Sequence, residues 1–228
     1  MYKLVKKAKV FLNMVLNGLY KDIFNIIKQR IYSNTYWFYI RRDLTQGINN
    51  QTHKAKIDIT LREYTDADHK YFKNLPLDDM LINANIPTCY VAVTKDGIPC
   101  FREWFIEPSQ NEKIKKFFVN NLPQLKPDEC IFERAFAVKA YRGLDLYQEV
   151  NYLFAKKALN LGYKWSISCI DLDNILSLKA AHKLQTTPTK LLVIKHRFFT
   201  QKPVLIDIPK KLKAKTPWLF DEENEVKV

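Results

Sequence analysis

Glycine is scarce in this chain: 228 residues contain only Gly18, Gly47, Gly97, Gly143 and Gly162. Neither a GxGxxG dinucleotide loop nor a Walker A loop can be built from that spacing, so two common ways of cradling phosphate are excluded. The four cysteines, Cys89, Cys100, Cys130 and Cys169, form no CxxC pair. Each sits in an apolar or strand-like stretch, which argues against a zinc knuckle or a secreted disulfide framework, and no metal is expected. A reducing, cytoplasmic setting is the default. No uninterrupted apolar run of about 18 residues exists, so a transmembrane span is not expected. Asn13 and Asn17 break the only segment that could serve as a signal peptide, and the arginine and serine richness of an organelle presequence is missing.

Positive charge, in contrast, is abundant. Lys and Arg number 37 against 24 Asp and Glu, a net +13, which favours anionic partners. The excess is concentrated near the N-terminus. Residues 1–55 hold ten basic side chains against Asp22 and Asp43, so that quarter alone carries +8. Within it, Asn13, Asn17, Lys21, Asn25 and Lys28 recur at steps of three or four, leaving an apolar arc of Leu12, Val15, Leu16, Leu19, Ile23, Phe24, Ile26 and Ile27. This spacing predicts a basic amphipathic helix over residues 10–31. Two partners suit it: a protein surface, its own or another's, or a membrane interface with the lysines towards lipid phosphates.

An aromatic strand is predicted over residues 34–44, and the polar, turn-prone run TQGINNQTH (45–53) reads as a linker. The chain is therefore divided into a segment 1–54 of helix plus aromatic strand, a main domain 55–200, and a tail 201–228, rich in Pro and Lys before an acidic finish. In the tail, Trp218, Leu219 and Phe220 are expected to pack. Within the main domain the pattern gives a strand (57–61), a helix (66–75), a hairpin (88–93 and 98–106) turned at Lys95-Asp96-Gly97, and a helix (112–121). A strand (130–138) and a strongly periodic helix from Leu146 to Leu161, stopped by Gly162, come next. A strand (164–170), a helix (174–184) and a strand (190–198) complete it. This order predicts an α/β fold with a mixed sheet.

The run Phe136-Ala137-Val138-Lys139-Ala140-Tyr141-Arg142-Gly143, leading into a long helix that ends at a glycine, resembles motif A of the GNAT acyltransferase superfamily. Asp173-Asn174-Ile175-Leu176-Ser177 downstream resembles that family's asparagine-containing segment. The resemblance covers residues 56–200. It implies a mixed, mostly antiparallel sheet flanked by helices and an N-acyltransferase that takes acetyl-CoA or another acyl-CoA as donor and an amine as acceptor. By the same resemblance, Phe136, Ala137 and Val138 would meet the pantetheine arm. Arg142, Gly143, Leu144 and Leu146 would form the turn and helix start that hold the pyrophosphate, and Asn174 would open the last helix. Three positions, in two places, depart from the family. Asp145 and Tyr147 stand where small residues are usual, and Ala181 stands where a tyrosine often acts as general acid.

Asp145, with Gln148 three residues on, has the form of a capping box that would occupy the amides a diphosphate needs. A carboxylate there would repel the diphosphate by about 3 to 4 kcal/mol at an effective dielectric of about 20. His182, beside Ala181, is the candidate proton donor. Glu133 is the candidate base, with Glu103 or Glu107 as substitutes; strand alternation puts Glu133 on one face with Ala135 and Ala137. An ion pair with a lysine is the plain alternative for Glu133. Cys169 lacks an activating base nearby in sequence and is set aside as a nucleophile. The alternative to an enzyme is a GNAT-like scaffold that has lost catalysis and acts through its N-terminal helix at a membrane or partner surface. Nucleic-acid binding, suggested by Tyr36, Trp37, Phe38 and Tyr39 near Arg41 and Arg42, ranks last because no module signature accompanies it.

Overall fold

The computed structural model describes residues 31–46, 54–72, 81–82, 85–117, 124–184 and 186–220, with residues 16, 20, 24 and 28. Eight strands form one sheet: β1 (Tyr32–Asp43), β2 (Ile59–Glu63), β3 (Cys89–Thr94), β4 (Pro99–Ile106), β5 (Glu129–Ala137), β6 (Trp165–Asp171), β7 (Pro188–Arg197) and β8 (Thr200–Ile206). Their spatial order is β2-β3-β4-β5-β6-β1-β7-β8. Every adjacent pair is antiparallel except β5 and β6. The described α-helices are α1 (Asn111–Phe117), α2 (Leu146–Asn160), α3 (Ile175–Lys183) and α4 (Lys210–Lys215).

The aromatic strand does not belong to a separate N-terminal segment. β1 lies inside the sheet, with Trp37 to Asp43 paired to β6 and Tyr32 to Ile40 paired to β7. Phe38 joins one core cluster with Ile170 and Leu178, while Tyr39 joins another with Trp104 and Ile167. A strand covered on both faces carries a continuous apolar run, which is why Trp37 to Ile40 lacks polar alternation. The polar run 45–53, of which 47–53 lie outside the described residues, thus connects strands of one sheet. The division after residue 200 moves as well, because β8 pairs with β7 along its whole length. Charge and proline had disguised that edge strand as tail.

This burial also takes Phe38 and Tyr39 out of a nucleic-acid surface at β1, while Tyr36 stays exposed. Phe38, Tyr39 and Ile40 are buried. Arg41 stacks over the Trp165 ring at 3.6 Å and pairs with Glu129 at 3.1 Å.

α2 packs its apolar side on the sheet through Leu146, Val150, Phe154, Ala155 and Ala158. Phe154 meets Tyr90, Phe105 and Phe132 at ring separations of 5.2 to 5.5 Å. Gly162, at φ +88°, closes the helix in the left-handed conformation that glycine adopts most cheaply. On the same face, beside α2, α3 and the C-terminal segment share a cluster with Phe38, Ile40 and Leu219, and Phe220 meets Phe38 edge-on at 6.1 Å; the other face carries Tyr39, Trp104, Ile131 and Ile167. Of the predicted N-terminal helix, only Leu16, Tyr20, Phe24, Lys28 and Ile31 fall among the described residues; all five are helical and exposed. The acidic finish, 221–228, lies outside the described residues, as do 73–75 and 118–121 of two predicted helices.

Candidate active site

β5 and β6 run side by side only from Glu129, Cys130 and Ile131 to Trp165, Ser166 and Ile167. Beyond that point they part, β5 following β4 and β6 following β1. A bulge drives the parting. Arg134 adopts φ +60°, and the β4–β5 register slips between Arg102 and Trp104, so that Arg134 and Ala135 face the single residue Glu103. An extra residue on one strand bends it and increases its twist. The gap is a cleft of about 520 Å³ whose walls include Glu103, Glu133, Ala137, Tyr147, Cys169 and Asn174.

The bulge also resets the alternation assumed for β5. Glu133 pairs with Trp104 and Ala137 with Phe101, partners on opposite faces of β4. Glu133 and Ala137 therefore lie on opposite faces rather than one. Glu103, in step with Phe101 and Phe105, sits under α2, so the two carboxylates approach the gap from different sides of the sheet.

Their environments differ. Glu103 is 2% exposed. Burial pushes its carboxyl well above the usual range, and the like charge on Glu133 adds to this, while a hydrogen bond from Asn151 Nδ2 at 3.3 Å opposes both. Glu133 lies 3.5 Å from Arg134 Nε and retains 17% side-chain exposure; the ion pair expected with a lysine is made with an arginine. Tyr147 is pushed upward by burial first and by Glu103 second, with Arg42 acting the other way. Burial, then Glu133, raises the Cys169 thiol, which keeps it protonated and unreactive.

At the mouth of the cleft the turn before α2 departs from the capping-box expectation. Asp145 adopts φ +55° and its side chain makes no cap hydrogen bond. The carboxylate turns to Lys56 at 3.3 Å and Lys183 at 3.5 Å, because a left-handed residue aims its side chain away from the first-turn amides. Gly143, at φ +78°, accepts a hydrogen bond from Lys56 Nζ at 3.0 Å, and Leu144 accepts one from the Lys56 amide. Arg142 Nε donates to the Ala137 carbonyl at 3.3 Å, and its guanidinium lies 5.7 Å from the Phe136 ring.

The other sequence candidates separate. Phe136 and Val138, half-buried, pack beside Phe72, Val91 and Val93. Leu146 is core. Asn174 lines the cleft and caps α3, accepting from the Ser177 amide at 3.2 Å. His182 does not line the cleft; it meets Trp218 edge-on at 5.7 Å. One residue beyond Ala181 is a 100° turn of the helix, which carries it to the C-terminal segment. Glu107 accepts a hydrogen bond from Tyr163 at 3.1 Å and is likewise absent from the cleft wall.

Sequence reading missed Tyr147, Asn151 and Arg42 as members of the site, since they come from α2 and a distant strand. The signal for Glu103 was present: with Arg102 it is one of two charged residues inside the apolar run CFREWFI, every residue of which is buried. Among the described residues no group of three His, Cys, Asp or Glu is placed to hold a metal, and no helix is long and apolar enough to cross a membrane.

No protein-family model matches the chain, and no curated protein does. Solved structures do. The GCN5-related glucosamine N-acetyltransferase region of a fungal multi-domain β-N-acetylglucosaminidase is 10% identical at TM-score 0.55, and the match covers 79% of this chain and 23% of that one. A GNAT-family acetyltransferase from Colwellia psychrerythraea is 12% identical at TM-score 0.48, covering 73% of this chain and 57% of that one. A GCN5-related N-acetyltransferase from Sphaerobacter thermophilus is 12% identical at 0.45, covering 82% and 58%. This chain thus spans under two thirds of each of these proteins. At such identity the likeness is one of architecture, and with β5 and β6 parting beside the start of α2, the chain has a divergent form of the GNAT acetyltransferase fold.

Proposed function

We propose that this protein transfers an acyl group, acetyl in the simplest case, from coenzyme A to an amine by direct attack on the thioester. The observation that carries the reading is the parting of β5 from β6 beside the N-terminus of α2, with two carboxylates in the gap. A pantetheine arm fits between the strands and meets β5 backbone groups. The first-turn amides of α2, which the Asp145 side chain leaves unengaged, face the pyrophosphate with Lys56, Lys183 and Arg142 close by.

The carboxylates divide the proton work. Two neighbouring carboxyls do not both ionise cheaply, so Glu103, the more buried, keeps its proton and Glu133 is the base. Glu133 takes a proton from the amine as nitrogen bonds to the carbonyl carbon. The C–S bond then breaks, and the departing thiolate takes a proton from a donor on the cleft wall, Tyr147 or protonated Glu103. The acceptor belongs to the class of primary amines, and the donor side requires no metal in this scheme.

Calorimetric titration with acetyl-CoA tests the reading. Micromolar binding is expected, retained in Glu133→Gln, with transfer to an amine panel lowered about 10²- to 10⁴-fold in that variant. Absence of binding by the intact protein would refute acyl transfer and favour the scaffold reading.

A further inference from the structure

The β7–β8 turn is built from the wrong residues for its shape. Phe198 and Phe199 form a two-residue hairpin loop at φ +45° and +66°, a type I′ turn that favours Asn-Gly because left-handed backbone crowds a Cβ. Both rings also stand in solvent, 77% and 66% exposed. Two phenylalanines thus pay twice, in backbone strain and in exposed apolar surface, at a position where folding asks for neither.

Around them lies a consistent surface. The Phe198 amide donates to the Ile31 carbonyl at 2.9 Å, which joins the turn to the end of the N-terminal helical segment. Leu16, Tyr20 and Phe24 on that segment are 65 to 76% exposed at steps of four, and Tyr32 is 69% exposed with Arg197 stacked over it at 3.9 Å. Lys195 and Lys202 are directly opposite each other across β7 and β8. Both are exposed, and neither ion-pairs with a carboxylate among the described residues. Like charges so placed repel unless an anion lies over them. Residues 23–42 and 189–206 contain no Asp or Glu at all.

We propose that the Phe198–Phe199 turn, with Tyr32 and the exposed Leu16, Tyr20 and Phe24, docks this protein on an anionic lipid bilayer. Phe198 and Phe199 sit at the tip of a hairpin whose strands carry Lys195, Arg197 and Lys202. That shape enters the soft headgroup layer, whereas a protein partner would need a matching groove. The apex also has a functional orientation. β1 pairs with both neighbours from Trp37 to Ile40, but Tyr32 to Tyr36 pair with β7 alone, so the hairpin runs about 16 Å past the end of β6 where the cleft opens. Docking stands on the apex alone and does not depend on acyl transfer.

The test is sedimentation of the full chain with vesicles of phosphatidylcholine, with or without about one-third phosphatidylglycerol. The comparison is with the double variant Phe198→Asn and Phe199→Gly. Asn-Gly suits the turn, so the variant is expected to melt no lower than the wild type, which separates docking from folding. The wild type is expected to sediment with the anionic vesicles, less so at high salt, and the variant to bind about tenfold or more weakly. Equal binding by wild type and variant, no preference for anionic vesicles, or no binding by the wild type would each overturn the proposal. So would selective binding of a single-stranded oligonucleotide in place of vesicles.

Discussion

Replacing Glu103 by glutamine isolates the cost of burying its carboxylate. The side chain is 2% exposed and its carboxyl is held well above the usual glutamate value of 4.5, by burial first and the Glu133 charge second. A carboxyl with a raised folded pKa supports the fold while it keeps its proton. That support is complete below the unfolded-chain value and is lost as pH rises towards the folded one. Within this window the wild type loses up to about 1.4 kcal/mol per pH unit relative to a side chain that does not titrate. Glutamine keeps an oxygen to accept from Asn151 and removes the titration. At about 2 to 4 °C per kcal/mol for a chain this long, the melting temperature of Glu103→Gln should pull ahead by about 3 to 6 °C per pH unit above about pH 4.5. Thermal melts by circular dichroism at stepped pH check this. Adding Glu133→Gln removes the like charge and should close the window at a lower pH. Parallel melting curves for wild type and Glu103→Gln from about pH 4 to 8 would refute the account, because they would mean that Glu103 is ionised in the fold at no cost.

Asp145→Gly should leave stability within about 1 kcal/mol of wild type, since it removes left-handed strain at φ +55° together with two ion pairs to well-exposed lysines. The same variant should bind acetyl-CoA more tightly by calorimetry, the carboxylate beside the diphosphate being gone. Phe154→Ala should cost about 3 to 5 kcal/mol in urea unfolding, because a fully buried ring in contact with Tyr90, Phe105 and Phe132 is lost. Leu159→Ala on the same helix, 39% exposed, should cost about 0.5 kcal/mol or less.

Most elements of the domain were legible because each depends on local periodicity; the helix predicted over 66–75 is instead a 3-10 turn over Asp66–Tyr71 among the described residues. α2 runs from Leu146 to Asn160, close to the predicted bounds, since its apolar spacing and Gly162 mark both the face and the stop. The hairpin at Lys95-Asp96-Gly97 and the strands before and after α2 were equally local. β8 was not, because its Lys202-Pro203 pair reads as tail when β7 is not beside it.

What the sequence determined by itself was an alternating α/β chain, a motif A-like run into a long helix, and a surplus of positive charge. Where that chain puts its chemistry was decided in three dimensions. Nothing in residues 32–43 says that they pair between β6 and β7, since pairing depends on partners more than 120 residues away. A single left-handed residue, Arg134, moved Glu133 to the other face of β5, and period-two reasoning cannot foresee a bulge. The same limit applied to Asp145, whose residue type fits a cap but whose backbone points its carboxylate elsewhere. Composition and spacing fix which elements form. The faces, the gap between strands and the state of a buried carboxyl follow from how those elements meet.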